Sequence, residues 1–427
     1  MKKWNGTRIS LIAAVVLLGF GGCGRERADV SDTIVTEKVR VEETLIETEP
    51  EEVQKRKEVV PKQQEVKECV PVAEPKLIEP AVYDETARKE AMDEQISYYY
   101  YNTLPEEDKK IYEEVYLAIC NRQEAVVSTL EQDKLEDIYQ LVMMDHPEIF
   151  YSEGYVCTRH LKGDRLEKLT FSAKIKWDEE EIQRRQQAVA AYTQECLARM
   201  PGGEDQFGQI KYIYDYLIGK TQYVPEASEN QNICSVFMNQ KSVCQGYAEA
   251  TQYLLQKLGF EAAVVTGEAE GGGHAWNLVR ADGEYYYLDT TWGDVDYRSV
   301  TGEKSMEDNM PVNYDYFLIT TEQLLKTHTP DADYRLPVCT AVTDNYYVRM
   351  GTLFETMDEA KVADCFIRAK ADGRNTITFK AVDGEVYESL KQYLLTEQKV
   401  FDFIEERDSV SYYEDERMGT ICFWLKR

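Results

Sequence analysis

The sequence has no CxxC pair, no repeated cysteine spacing, no internal repeat and no glycine-rich phosphate loop carrying a lysine. The missing cysteine pattern removes the framework of a four-ligand zinc site, since Cys157-Thr-Arg-His160 stands as a lone Cys/His pair. The missing loop removes P-loop nucleotide chemistry, and the missing repeat removes solenoid architectures. Basic residues are scarce: 49 Lys and Arg stand against 78 Asp and Glu, a net charge of −29. A nucleic-acid partner is excluded on that balance, because a phosphate backbone would be repelled over most of the surface. Nor is there a basic patch for anionic lipid. The acidity itself reads as a solubility feature.

Long apolar runs are also lacking. The N-terminal run Ser10–Phe20 follows Lys2, Lys3 and Arg8 and is too short to span a bilayer alone. It reads as an export signal over residues 1–22. Phe20-Gly21-Gly22-Cys23 resembles the lipobox of bacterial lipoproteins, with Phe where Leu is usual. Cys23 is therefore the expected lipidation site, and a diacylglyceryl thioether would supply the two acyl chains that stable membrane anchoring needs. Exported chains favour disulfides, but the cysteines beyond Cys23 and Cys244 are scattered. Cys120, Cys157, Cys365 and Cys422 lie in apolar patterns and are expected as small buried hydrophobes.

What is present suits a multi-part globular protein. The chain has 427 residues, 43% hydrophobic and 11% aromatic, with 30 tyrosines. Residues 23–90 differ in kind: rich in Glu, Val, Lys and Thr, without Trp or Phe, and interrupted by Pro61, Pro71, Pro75 and Pro80. This composition predicts a disordered tether, reaching on the order of 45 Å. An accessory α+β region is expected over 91–203. Within it, Thr103-Leu-Pro-Glu106 reads as a capping box, and Asp178 as the cap of a long helix ending before Pro201-Gly202-Gly203. Residues 204–330 hold the motifs, and 331–427 read as a small C-terminal α+β region.

The motifs are Ser-Val-Cys244-Gln-Gly-Tyr, His274-Ala-Trp-Asn and Tyr-Tyr-Leu-Asp289-Thr-Thr-Trp. After Cys244, residues Tyr247, Thr251, Leu254, Leu255 and Leu258 fall at helical spacing, and Gly259 sits where a helix ends. Cys244 is thus placed at a helix start, where unpaired N–H groups and the helix dipole favour a thiolate. His274–Arg280 and Glu284–Thr290 read as a hairpin around Asp282-Gly283. If Ala281 faces Glu284, then Asp289 faces Trp276 and His274 faces Thr291, all on one sheet face. His274 and Asp289 become diagonal neighbours, close enough for a carboxylate to orient an imidazole toward a thiol. Gln222 is a candidate second oxyanion donor beside the Cys244 backbone N–H. Trp276 and Trp292 either shield the imidazole, line a substrate groove or pack the core. Gly271-Gly272-Gly273 reads as a mobile loop at the site mouth or a long turn.

These same residues resemble the bacterial transglutaminase-like superfamily. Val243-Cys-Gln-Gly-Tyr-Ala-Glu-Ala, His274-Ala-Trp-Asn and Leu288-Asp-Thr-Thr-Trp carry the resemblance, with Tyr212–Leu217 and Tyr314–His328 flanking it. It covers roughly 204–330. It implies an α+β, papain-like core with the cysteine on a helix packed against an antiparallel sheet, and a triad of Cys244, His274 and Asp289. The implied chemistry is amide acyl transfer through a thioester, to water or to an amine, on protein or peptidoglycan-peptide substrates at the cell surface. No cofactor or metal is implied. The alternative is a catalytically silent binding or scaffold module. A papain-like peptidase of another family would want Asn in place of Asp289, and acyl transfer from a phosphorylated carrier would want a basic cleft.

Overall fold

Two tight turns shape the sheet that carries the motifs. In the computed structural model, which describes residues 41–45, 79–95, 97–294, 311–332, 335–404 and 409–426, Asp282 and Gly283 both adopt positive φ, 48° and 90°. That is the geometry a two-residue hairpin turn requires. It joins β8 (Gly272–Ala281) to β9 (Glu284–Leu288) in the expected register, from Ala281 opposite Glu284 to Asn277 opposite Leu288. The preceding turn, Glu270-Gly271, has φ values of 51° and 82° and joins β7 (Ala262–Ala269) to β8. The triple glycine is therefore no loop: Gly272 and Gly273 are already in β8. With β10 (Phe317–Ile319) and β11 (His328–Pro330) the antiparallel sheet runs β10-β9-β8-β7-β11.

Ahead of this sheet, α8 (Cys244–Lys257) packs on β8 and β7, and ends at Gly259, φ 87°. It is preceded by α6 (Gln206–Lys220), α7 (Ile233–Asn239) and a small parallel pair, β5 (Gln222–Tyr223) with β6 (Lys241–Ser242). The α+β class and helix-on-sheet core follow the expectation.

The N-terminal region contains α1 (Glu85–Gln95), α2 (Tyr99–Thr103), α3 (Glu106–Asn121) and α4 (Gln132–Asp145). It also holds β2 (Ala125–Val127), the long hairpin β3 (Ser152–Lys162) and β4 (Arg165–Ile175), and α5 (Glu179–Ala198). Its sheet runs β1-β3-β4-β2, where β1 (Val41–Leu45) pairs in parallel with β3. Both β1 and the first turns of α1 fall inside the stretch expected as a tether. The leader, Cys23 and the rest of that stretch up to residue 78 lie outside the described residues. Asp178 caps α5, accepting from the Glu181 N–H at 3.0 Å. Thr103 does not cap α3. Its hydroxyl donates to the Tyr100 carbonyl and closes α2, and Pro105 takes the cap position. Cys120 is exposed rather than buried, because it falls on the solvent side at the end of α3.

One buried apolar cluster runs from Tyr101 through Leu318, so the N-terminal helices and the motif-bearing core share a single interior. Buried Asp145 ties its parts together, accepting from the Tyr100 and Tyr101 N–H groups and the Tyr112 hydroxyl. The C-terminal region has a separate core around Phe354, Phe366, Phe379 and Phe423. It comprises α10 (Tyr346–Arg349), β12 (Leu353–Phe354), α11 (Glu359–Ala371), β13 (Thr376–Ala381), α12 (Gly384–Lys391), β14 (Ser409–Asp415) and β15 (Thr420–Lys426). No helix among the described residues is long and apolar enough to cross a membrane.

Candidate active site

Cys244 is the first residue of α8, and Val243 before it is extended with no side-chain cap. The backbone N–H groups of this first turn therefore have no side-chain acceptor at the cap position. Cys244 is only 4% exposed and packs with Ala248, Val264 and Ala275. Two anchors hold the helix on the sheet. Asn277, last of the His-Ala-Trp-Asn motif, donates its amide to the carbonyls of Ala248 (2.9 Å) and Ala263 (3.3 Å). Tyr247 donates to Asp294 at 2.6 Å.

His274 Nε2 and Asp289 Oδ2 are 2.8 Å apart, and the Cys244 thiol lies within electrostatic reach of the ring. With Nε2 taken by Asp289, Nδ1 is the atom left for the thiol. Burial alone would lower the His274 pKa. The Asp289 charge and hydrogen bond, with the Cys244 contact, outweigh it and push the imidazole up to about 10. Asp289 is buried too, which would raise its pKa, but His274 and His328 hold it well below the usual carboxylate range.

Asp289 does more than face an imidazole. Strand β9 stops at Leu288, short of the expected Thr290, because Asp289 becomes the cap of a helical turn, α9 (Thr290–Gly293). Its Oδ1 accepts from the Thr291 and Trp292 N–H groups at 2.9 and 3.1 Å. The anticipated pairing of His274 with Thr291 is thus replaced by a turn, while the diagonal reach from His274 to Asp289 is realised. Asp289 Oδ2 has a second partner that the motifs did not suggest: His328 Nε2, at 3.2 Å. His328 lies on β11, which pairs with β7 through His328 opposite Ala269.

Trp276 is fully buried, with its ring 5.9 Å from His274 and 4.9 Å from His328. Trp292 lies 5.7 and 4.6 Å from the same two rings, and Tyr316 lies 5.3 Å from His328. Both tryptophans therefore wall in the imidazoles. Gln222 is exposed on β5, and its backbone N–H donates to Gln240. Alternation along a strand sends it and Tyr223 to opposite sides. Tyr223 is the one within electrostatic reach of Cys244 and Asp289; burial first, then those two groups, push its phenol up to about 12. Its ring is 40% exposed, at the mouth of the site. The His274, Asp289 and His328 ligand atoms all lie within 4.8 Å of one another, close enough in principle to share a cation. Both imidazoles meet Asp289 Oδ2 at hydrogen-bond distances, and a proton on each Nε2 accounts for the two contacts.

Residues 191–293 match the model of the transglutaminase-like superfamily, and the chain carries a transglutaminase-like domain there. Among curated proteins, it is similar to kyphoscoliosis peptidase from Mus musculus, 23% identical over 140 residues, covering 29% of this chain and 21% of the relative. The Homo sapiens protein of the same name is 27% identical over 108 residues, covering 22% and 16%. The chain thus spans about a fifth of the length of these relatives. Among solved structures, a TGase is 16% identical, covering 43% of this chain and 52% of its own, with a TM-score of 0.24. The periplasmic domain of TgpA from Pseudomonas aeruginosa is 15% identical, covering 32% and 57%, with a TM-score of 0.21.

Proposed function

We propose that the protein is an exported cysteine-nucleophile enzyme that cleaves or transfers amide acyl groups through a thioester. The observation that carries this is the 2.8 Å pairing of Asp289 with His274, whose ring lies within electrostatic reach of a thiol at the start of α8. In the proposed reaction the proton given up by Cys244 already sits on His274 Nδ1, and the sulfur attacks the amide carbonyl. The Cys244 N–H stabilises the oxyanion, with Gln222 or Tyr223 as the side chain to test for the second donor. The C–N bond breaks, His274 protonates the leaving amine, and an acyl thioester remains on Cys244. Water or a second amine then attacks the thioester, giving up a proton to His274. The thiol leaves and recovers its proton. Asp289 keeps the imidazole oriented throughout and stabilises its cation.

Hydrolysis of protein or cell-wall peptide is the favoured outcome, because water is always available to an exported site and the curated relatives are named peptidases. Cys23 provides lipid anchorage at the cell surface in this reading. The test is mass spectrometry of the full chain after incubation with amide-containing peptides, with and without an added primary amine. A hydroxylamine-sensitive acyl adduct on Cys244, absent in His274→Ala, is the expected result. Acid product without amine product would assign hydrolysis. Absence of adduct and product across protein and cell-wall peptides, with Cys244 accessible to a small alkylating agent, would favour a binding module instead.

A further inference from the structure

His328 occupies a position with no counterpart in a three-residue relay. Its side chain is fully buried, yet both ring nitrogens are engaged: Nε2 with Asp289 Oδ2 at 3.2 Å, and Nδ1 with the Thr327 hydroxyl at 2.7 Å. Asp289 can only accept, because its carboxylate is held ionised. His328 Nε2 must then carry a hydrogen, and in the neutral ring Nδ1 accepts from Thr327. The carboxylate thereby receives four donors: two backbone N–H groups on Oδ1, and one imidazole from either side on Oδ2. Trp276, Trp292 and Tyr316 surround His328, so no water is needed to complete its hydrogen bonding. The charged groups inside this box are Asp289 and His274; beyond it, Asp315, Arg417 (paired with Glu270) and Asp415 act on Tyr316.

We infer that His328 is a positioning residue: with Thr327 behind it, it clamps Asp289 Oδ2 from the side opposite His274 and fixes the carboxylate that orients the catalytic imidazole. The inference rests on the cysteine-nucleophile reading above. A carboxylate with one imidazole partner can rotate about its side-chain bonds. With a second imidazole on the same oxygen and two amides on the other, it has a single orientation. The hydrogen-bonded chain behind Cys244 then runs from Thr327, just before β11, through His328 on β11 and Asp289 at the cap of α9 to His274 on β8.

The experiment follows alkylation of Cys244 by iodoacetamide against pH in the full chain, with exposed Cys120 as internal reference. His328→Leu removes the ring hydrogen, and His328→Gln restores an N–H at about the Nε2 position. The expected result is at least a tenfold slower Cys244 rate at pH 6 in His328→Leu, with the acidic limb of the profile moved to higher pH. His328→Gln should recover most of the rate and the wild-type limb. An unchanged profile in His328→Leu overturns the inference, as does an equal loss in Leu and Gln variants with no shift of the limb, which would mean packing alone. If the Leu variant fails to fold, Thr327→Val decides: a shift in the same direction supports the clamp, and a wild-type profile overturns it. A wild-type Cys244 no faster than Cys120 would instead refute the underlying reading, independently of His328.

Discussion

Asp289 carries the charge on which the site depends. Asp289→Asn keeps the shape but removes that charge, so His274 loses what outweighs its burial. Cys244 alkylation at pH 6 should fall by on the order of a hundredfold or more, and an unchanged rate would contradict the role. A stability signature accompanies it. The His274 pKa is raised in the folded protein, from 6.5 to about 10. Its contribution is therefore full below about pH 6.5 and is lost as pH rises toward 10. The melting temperature should decline across that window, and Asp289→Asn should flatten the decline. At this scale the sequence was informative where chemistry is local. A cysteine at a helix start and a hairpin register are both legible from spacing. His328 was not, because it reaches Asp289 only after the chain has crossed to the far edge of the sheet. Cys120 and Thr103 were misplaced for a related reason: each sits at a helix end, where side-chain direction depends on neighbouring elements.

The elements meet with little spare room. Gly267 on β7 faces β11, and a β-carbon there would collide with the Thr329 carbonyl and approach Trp276 Cη2 to 2.8 Å. Gly267→Ala should push β11 away from β7, loosening both Trp276 and His328, at a cost of about 1–3 kcal/mol. Urea unfolding and the Cys244 rate should fall together; a loss of stability with an unaltered rate would show that the β7–β11 pairing does not support the site. Asn277 tests the other side. Asn277→Leu removes two hydrogen bonds and leaves the Ala248 carbonyl, inside α8, without its side-chain partner. A loss of about 1–3 kcal/mol is expected in the same unfolding measurement. The α8 helix, the β8–β9 hairpin and the capped α5 follow from periodicity and turn chemistry. The end of β9 does not, since Asp289 serves as cap and as imidazole partner at once.

Across the whole molecule, the motif-bearing core is one interior with the N-terminal helices and is joined differently to the C-terminal region. The join centres on Asp315, which is buried and accepts from Lys380, Tyr347 and Thr420 at 2.8, 3.0 and 2.6 Å. Lys380→Met would strand that carboxylate without its cation, at a cost of about 3–5 kcal/mol. Hydrogen exchange should then rise first over β13 and β15 while α8 stays protected; simultaneous loss throughout would show a single cooperative unit. The α+β region read at 331–427 has its own apolar cluster. The shared interior of the first two regions was not legible in the sequence, because apolar periodicity shows which face is buried but not against which partner.

The most direct test is the rate at which iodoacetamide labels Cys244 at pH 6 in the full chain, compared with His274→Ala and resolved for each cysteine by mass spectrometry. An activated nucleophile labels well ahead of Cys120 and loses that lead without His274. If Cys244 is accessible yet labels no faster than Cys120 in either protein, the contact from Asp289 through His274 does not activate it, and the enzymatic account fails.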